Sequence, residues 1–198
     1  MHNAFSKNEF GGDVVQIFKK AGWAIRQKSS LFYDIAHTLI VALILVSLLF
    51  TFAFRQVTVV GDSMNDTLMD QDRLLVSCLF YTTPERGDIV IVNRYTEEPL
   101  IKRVIAVAGD SVYIDPTTGV LLLNGEVQEE TYVHYENYLY DLHEPVVVPD
   151  GCVFVMGDHR NNSLDSRTAT IGFIDVRDIV GKALFRIRPL SEFGSVYE

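Results

Sequence analysis

The chain has 198 residues, enough for one medium-sized domain and an anchor but too few for two large domains. Hydrophobic residues make up 48% of it and its mean hydropathy is +0.15, which is high for a purely soluble protein. Its 17 Lys and Arg against 26 Asp and Glu give a net charge of −9, which argues against a nucleic-acid partner because little basic surface is left to neutralise phosphates.

The first predicted element is the apolar run 35–54, which contains no Lys, Arg, Asp or Glu. At a rise of about 1.5 Å per residue, a helix over this run matches a hydrocarbon core of about 30 Å. A buried core helix would need a polar face. A cleaved signal peptide would have a shorter apolar region ending in small residues, where Phe52 and Phe54 stand here. We therefore predict an uncleaved signal anchor.

The distribution of charge predicts how this anchor is oriented. Five Lys and Arg and three Asp and Glu precede the run, whereas 11 Lys and Arg and 23 Asp and Glu follow Arg55. By the positive-inside rule the N-terminus is cytoplasmic. The prediction is thus a cytoplasmic lead over 1–34, a single span of the cell membrane over 35–54, and an extracytoplasmic domain over 55–198.

Beyond the anchor, the pattern changes from helical to strand-like. Short runs rich in β-branched residues are separated by Gly, Pro and Asn-Gly turn signals. The predicted strands are 57–60, 73–77, 88–93, 101–108, 111–114, 119–123, 145–148, 152–156 and 179–187. Asn124-Gly125 is typical of a type I′ hairpin turn. No long helical pattern separates the strands, so the predicted fold class is mainly β and antiparallel, behind one N-terminal transmembrane helix.

The two cysteines, Cys78 and Cys152, both fall in strand-like apolar contexts. In an extracytoplasmic domain they could form one disulfide, or they could be buried free thiols, and the sequence favours neither. Neither has a histidine at ligand spacing, so no zinc site is expected.

Two short stretches in the predicted ectodomain could carry chemistry. Ser63 lies in GDSM, nine residues beyond Phe54, and is either part of a polar turn or a nucleophile held near the bilayer. Lys102 lies in a predicted strand, where alternation places it on one face with Val104, Ala106 and Ala108. A lysine on such an apolar face has a depressed pKa and can accept a proton from a serine hydroxyl. The alternative is an edge-strand lysine that prevents aggregation.

A third stretch, MGDHRNNSLDSR over 156–167, follows the predicted strand 152–156. Gly, Asp, Asn and Ser are the ordinary residues of structural turns. The same stretch also contains acids, arginines and hydroxyls that could fix and orient an active site. Taken alone, it fits both interpretations.

Four motifs occur in order along the chain: GDSM at 61–64, RGDIVIV at 86–92, IKRVIAVAGD at 101–110 and GDHRNNSLDSR at 157–167. Together they resemble the bacterial type I signal peptidases, membrane-bound Ser/Lys endopeptidases that remove signal peptides from exported preproteins. The resemblance covers the anchor and nearly all of the ectodomain, and the single span is similar to the form found in Gram-positive bacteria. It implies a β-rich catalytic domain that uses neither metal nor cofactor.

The resemblance also implies roles for individual residues. Ser63 would be the nucleophile and Lys102 the general base that later returns the proton to the leaving amine. The supporting residues are a hydroxyl that orients the lysine and two ion pairs that hold the loop beneath the site: Ser163, Arg103 with Asp158, and Asp165 with Arg167.

The implied substrates are signal peptides cut after small residues at positions −1 and −3. Shallow pockets would select these residues, and Met64, Val59 and Val104 are candidates for their lining because they are close to the proposed dyad in the sequence pattern. The implied partners are preproteins, the lipid bilayer and the secretion translocon nearby.

Three positions depart from the pattern of the family. Asp66 stands where many members have proline, Gly61 where some have a serine that stabilises the oxyanion, and His159 where asparagine is common. Without the serine, the Ser63 amide would carry more of the oxyanion role. None of these departures removes Ser63 or Lys102.

Other classes of protein share some of these features. A sortase-like transpeptidase would use Cys152 as its nucleophile, but the Thr-Leu-x-Thr-Cys context is missing. Self-cleaving repressors use a Ser/Lys dyad but are soluble and cytoplasmic. In an anchored binding module, GDSM and GDHR would only be turns, and Lys102 would have an ordinary pKa.

Overall fold

A computed structural model of the protein describes residues 10–79, 81–94, 98–133 and 144–197. It begins with a long helix, α1 (Phe10–Ala53), which no proline interrupts. Within α1, Leu31–Ala53 has a mean hydropathy of 2.5 and is the one helix in these ranges that is long and apolar enough to cross a membrane. None of its most apolar window is buried in the protein, whereas a core helix would be covered.

The chain divides into two compact units, Met1–Phe50 and Thr51–Glu198. The predicted span 35–54 extends one residue past the helix, because Phe54 already belongs to the first strand and pairs with Ser77. The predicted lead, span and ectodomain otherwise stay predictions.

The second unit is built of short strands, and all of their pairings are antiparallel. They are β1 (Phe54–Thr58), β2 (Arg73–Ser77), β3 (Ile89–Val92), β4 (Leu100–Val107), β5 (Ser111–Ile114), β6 (Leu121–Leu123), β7 (Glu126–Val127), β8 (Val146–Val147), β9 (Cys152–Met156), β10 (Ile174–Asp175), β11 (Ile179–Arg188) and β12 (Gly194–Ser195). The larger sheet has the order β1-β2-β11-β3-β4-β9-β10, with β12 on β11, and the smaller has the order β7-β6-β5-β8. The predicted mainly β, antiparallel fold class is confirmed.

Local sequence patterns predicted several of these elements closely. β5 and β9 have the predicted bounds. Asn124 and Gly125 both have positive φ angles, 55° and 83°, as a type I′ turn between β6 and β7 requires. The first strand begins three residues earlier than predicted, because pairing with β2 is available to the chain as soon as the helix ends.

One predicted feature of β4 is wrong. Val104 pairs with Val155 and Ala106 with Phe154, so Ile105 is an extra residue on β4 and forms a β-bulge. The bulge reverses the alternation: Val104 packs in one hydrophobic cluster, Ala106 packs in another, and Ala108 is exposed. Lys102 therefore does not share one face with Val104, Ala106 and Ala108.

The cysteines have no disulfide between them. Cys78 and Cys152 are both free thiols and both half-buried. Of the two alternatives that the sequence left open, the structure therefore has the free thiols.

Candidate active site

The nucleophile loop, which we define as residues 61–68, follows β1 and lies over a hydrophobic cluster. Gly61 begins it in the left-handed region, with φ 84°, and its amide donates a hydrogen bond to Oδ1 of Asp70 at 2.9 Å. Met64 and Leu68 are 1% and 0% exposed, and the Leu68 amide donates to the Met64 carbonyl. Two buried side chains thus fix the backbone on which Ser63 stands.

Lys102 reaches this loop from the middle of the larger sheet. Its Nζ lies 2.6 Å from Oγ of Ser63, although the two residues are 39 positions apart. Lys102 is only 2% exposed. Burial is the main cause that lowers its pKa, to about 8, while the charges of Asp165 and Asp158 raise it and that of Arg167 lowers it. A lysine with this pKa is partly neutral near neutral pH.

The acidic loop, defined as residues 157–167, lies beside the nucleophile loop. Asp158 is 0% exposed and accepts two hydrogen bonds from Arg103, at 2.9 Å and 2.6 Å. It also accepts a 2.6 Å hydrogen bond from Oγ1 of Thr67. Because Arg103 is the neighbour of Lys102 and Thr67 belongs to the nucleophile loop, Asp158 connects the two elements that meet at the site.

A second ion pair lies within the acidic loop. Asp165 and Arg167 are both fully buried and are joined by two hydrogen bonds of 2.8 Å. Burial by itself raises the pKa of the Asp165 carboxyl, but the hydrogen bonds and charge of Arg167 outweigh it, so the net pKa is lowered. Oδ2 of Asp165 also accepts a hydrogen bond from the Gly157 amide at 2.9 Å. The carboxylate therefore remains ionised while it holds the first residue of the loop.

Ser163 lies in the same loop, next to Gly157. Ser163 is 9% exposed, its Oγ makes no hydrogen bond of standard geometry within the described residues, and its hydroxyl helps to lower the pKa of the neighbouring Asp165 carboxyl. A Cβ atom on Gly157 would come within 2.2 Å of that Oγ and 2.4 Å of the Ser63 carbonyl oxygen. Only glycine fits at position 157, where the two loops touch.

His159 also joins the two loops. Its backbone amide donates to the Ser63 carbonyl at 3.1 Å, and its Nδ1 lies 3.1 Å from the Asp62 carbonyl oxygen. The Asn162 amide group donates to the Asp62 carboxylate at 2.9 Å. The residue that replaces the common asparagine thus contacts the backbone beside Ser63.

The three candidate pocket residues are more deeply buried than the sequence suggested. Val59, Met64 and Val104 are 3%, 1% and 0% exposed. Val59 and Met64 pack in the cluster beneath the nucleophile loop, and Val104 packs in a separate cluster. Val104 has no exposed surface, so only the small exposed parts of Val59 and Met64 are placed to contact a substrate.

The pairing of β4 with β9 ends one residue short of Lys102. Its ladder with β3 extends to Leu100, but its ladder with β9 reaches only to Arg103, paired with Met156. On the β9 side, residues 100–102 therefore lie beyond the end of the ladder. An extended peptide placed there would lie along the strand that carries Lys102.

Sequence reasoning assigned no role to several residues that surround the site. These are Thr67, Glu130, Tyr132 and Arg160. Thr67 lies just after the GDSM motif and Arg160 lies within the GDHRNNSLDSR motif, but the neighbouring sequence does not indicate which residues they contact. Glu130 and Tyr132 lie far from every motif and come to the site only through folding.

The arrangement of Ser63 and Lys102 is suited to proton transfer from a hydroxyl to an amine. A serine hydroxyl is within hydrogen-bond distance of a buried amine, and that amine can take up its proton when neutral. In the described part of the chain, no group of three or more His, Cys, Asp and Glu residues could hold a metal ion.

Known proteins resemble this chain over most of its length. The family model for signal peptidase, peptidase S26, matches residues 32–188. A probable signal peptidase I-1 from Synechocystis is 40% identical over 169 residues, 80% of this chain and 83% of that protein. A signal peptidase I from Bacillus amyloliquefaciens is 35% identical over 83% of this chain and 92% of its own length. A crystal structure of a signal peptidase I from Enterococcus faecalis is 28% identical and covers 50% of this chain and 96% of that one, with a TM-score of 0.42.

Proposed function

Since this chain belongs to the signal peptidase family, peptidase S26, we propose that it cleaves signal peptides from exported preproteins with Ser63 as nucleophile and Lys102 as general base. The family supports the removal of signal peptides, and the choice of residues is our own. The observation that carries it is the 2.6 Å separation of Ser63 Oγ from the Nζ of a lysine that is 2% exposed.

The proposed reaction has two halves. The neutral amine of Lys102 takes the hydroxyl proton as Ser63 Oγ attacks the scissile carbonyl carbon, and the new ammonium then gives that proton to the leaving amine. The carbonyl carbon remains bound to Oγ as an ester. Lys102 next takes a proton from water, the resulting hydroxide attacks the ester, and the proton returns to Ser63.

The supporting residues are proposed to keep the two reacting groups in place. The Arg103–Asp158 pair fixes the residue next to Lys102, and Thr67 couples Asp158 to the nucleophile loop. The Asp165–Arg167 pair holds Gly157 and the loop that carries Ser163. We assign to the Ser163 hydroxyl the orientation of the Lys102 amine, as the family resemblance implies, because Ser163 is buried in the loop that meets the Ser63 backbone at Gly157.

The substrate is proposed to bind as an added strand. It would pair with the backbone of β4 at residues 100–102, which lie beyond the end of the ladder between β4 and β9. Val59 and Met64, which pack beneath the nucleophile loop, would then form the floors of the −1 and −3 pockets, whereas Val104 is fully buried in a separate cluster and is the weakest of the three candidates. Cleavage after small residues at −1 and −3 follows from such shallow pockets.

The apolar helix is proposed to anchor the enzyme in the cell membrane. Leu31–Ala53 would span the bilayer once with a cytoplasmic N-terminus, as the charge distribution predicts. The second unit would then face the extracytoplasmic side, where signal peptides emerge from the translocon. Ser63 follows Phe54 by only nine residues in the sequence, so chain length alone would limit how far the nucleophile lies from the membrane surface.

The test is cleavage of a purified preprotein in detergent micelles by the wild type, Ser63→Ala and Lys102→Ala. Both variants should lose the cut product, a loss of at least about 10⁴-fold, because each removes one partner of the proton transfer. Cys152→Ala is the matched control and should cut normally, since it removes the nucleophile of the sortase-like alternative. Cleavage by Ser63→Ala at the same junction would show that another group is the nucleophile.

A further inference from the structure

Glu130 lies in a turn that follows β7, outside all four motifs and outside the larger sheet. Its carboxylate forms two hydrogen bonds with the Arg160 guanidinium, from Nη1 at 2.6 Å and from Nη2 at 2.5 Å. The Arg160 side chain is 0% exposed and that of Glu130 is 11% exposed. A bidentate ion pair that is almost excluded from solvent has a fixed geometry. Removing one of its two residues is costly, because the other charge is then left buried without a partner.

The Arg160 guanidinium also donates a hydrogen bond within the acidic loop. Its Nε donates to the Gly157 carbonyl at 3.1 Å, three residues earlier. The Gly157 amide donates to Asp165. The peptide groups on the two sides of Gly157 are therefore held by two different ion pairs, one from within the loop and one that depends on Glu130.

Gly157 is the point at which a displacement would reach the nucleophile. Its Cα packs so closely against the Ser63 carbonyl and Ser163 that no Cβ could be accommodated. Two residues further on, the His159 amide donates to the same Ser63 carbonyl. A shift of Gly157 thus moves the backbone on which Ser63 stands.

A second contact path starts from the same turn. The Tyr132 hydroxyl donates to Glu130 Oε1 at 2.9 Å, and the Arg103 guanidinium carbon lies 4.0 Å from the centre of the Tyr132 ring. Arg103 is paired with Asp158 and adjacent to Lys102. The turn at 130–132 therefore contacts both the loop beside Ser63 and the residue beside Lys102.

We propose that Glu130 is a positioning residue for the cleavage reaction, which holds Ser63 at its distance from Lys102 by fixing Arg160 and, through it, Gly157. The inference rests on the proposed function. It gives the smaller sheet a part in the reaction, since the turn that leaves this sheet carries the carboxylate. Glu130 itself touches neither Ser63 nor Lys102 and acts only through Arg160.

The experiment measures kcat and KM for preprotein cleavage by the full-length protein with Glu130→Gln and Glu130→Ala. We expect kcat to fall about tenfold in Glu130→Gln and about 10²-fold in Glu130→Ala, with KM within about twofold, because a displacement of about 1 Å costs reaction rate rather than binding. Circular dichroism and thermal melting establish that each variant is folded at the assay temperature. If Glu130→Ala does not fold, the isosteric Glu130→Gln decides the question.

The matched control is Asp175→Asn, which breaks an equally bidentate but exposed pair with Arg177 and should leave kcat unchanged. Dependence on Arg160 is tested in an Arg160→Met background, where Glu130→Gln should cause no further loss. Wild-type kcat in a folded Glu130→Gln variant would overturn the proposal, and so would an undiminished loss in the Arg160→Met background. Absence of cleavage by the wild type would instead refute the proposed function, so the two failures are distinguishable.

Discussion

Lys102 lies in a buried environment that favours the neutral form of its amine over the charged form. It is 2% exposed in the middle of a sheet, and burial lowers its pKa from the ordinary 10.5 to about 8. The buried carboxylates of Asp165 and Asp158 work in the opposite direction and keep the pKa from falling further. The balance gives an amine that can both accept a proton from serine and return it near neutral pH, which is what a general base of this kind needs.

The first prediction at this scale concerns pH. Below about pH 8 Lys102 is protonated and cannot take the proton of Ser63, so kcat/KM should rise about tenfold per pH unit on the acid side and level off above about 8. The measurement is the pH profile of preprotein cleavage in micelles. A profile with no ascending limb between pH 6 and 9 would contradict the assignment.

The lowered pKa of Lys102 also predicts how the stability of the wild type, compared with that of Lys102→Met, changes with pH. Because the folded-state pKa, about 8, is below the ordinary 10.5, the folded protein loses this proton before the unfolded chain does. Stability of the wild type therefore rises between about pH 8 and 10.5. Lys102→Met, which we expect to be inactive, should be more stable than the wild type below pH 8, and the difference between their melting temperatures should narrow as the pH rises from about 8 to 10.5.

At the scale of elements, the site is formed where two loops meet over one strand. The nucleophile loop is held from below by Met64 and Leu68, and the acidic loop by the buried pair of Asp165 and Arg167. β4 carries Lys102 and Arg103 on adjacent positions, so one residue contacts Ser63 in the nucleophile loop while the next pairs with Asp158 in the acidic loop. Neither loop could be placed by its own sequence, because each depends on contacts with the other.

The closeness of the two loops can be tested at Gly157. A methyl group there would come within 2.4 Å of the Ser63 carbonyl oxygen and 2.2 Å of Ser163 Oγ, so Gly157→Ala must push the loops apart. We expect kcat/KM to fall at least about 10²-fold, because a displacement of about 1 Å at the reacting groups is enough for such a loss.

Gly194→Ala is the matched control, since a Cβ at this position meets nothing within 4 Å, and it should cleave at the wild-type rate. Both variants are assayed with the same preprotein under saturating and limiting substrate. Wild-type activity in Gly157→Ala would mean that the loops are not held at the distance that the structure shows.

At the scale of the whole molecule, the chain combines an exposed apolar helix with an acidic β domain. Leu31–Ala53 is long enough to cross a bilayer, and the second unit begins at Thr51. A signal peptide is itself an apolar helix in the membrane, so anchoring the enzyme in the same bilayer would raise its effective concentration relative to the substrate. On this proposal the helix contributes to rate without taking part in the chemistry.

The corresponding prediction compares shared and separate vesicles. The full-length protein should cleave a membrane-inserted preprotein at least about 10-fold faster when both are reconstituted in the same liposomes than when they are in separate populations that are mixed. In detergent, where both arrangements mix freely, the two samples should give the same rate. Equal rates in shared and separate liposomes would show that anchoring has no part in the encounter.

The sequence by itself determined the features that depend on neighbouring residues or on motif order. The apolar run, the β-branched strands such as β5 and β9, the Asn124-Gly125 turn and the family resemblance all come from such local patterns. The candidate residues Ser63 and Lys102 were named in the same way, from the order of four motifs. A local sequence pattern does not give the distance between residues that are far apart in the chain. The 2.6 Å separation of Ser63 Oγ and Lys102 Nζ was therefore known only from the fold.

Only the tertiary structure decided the features that depend on long-range pairing. The bulge at Ile105 reversed the predicted alternation of β4, because it arises from the register with β9 and not from the strand's own sequence. The contact of Glu130 with Arg160, 30 residues apart, and that of Thr67 with Asp158, 91 residues apart, have no periodic signal either. Side chains that meet through the crossing of loops are selected by packing and charge in three dimensions, whereas periodicity reports only which face of one element is buried.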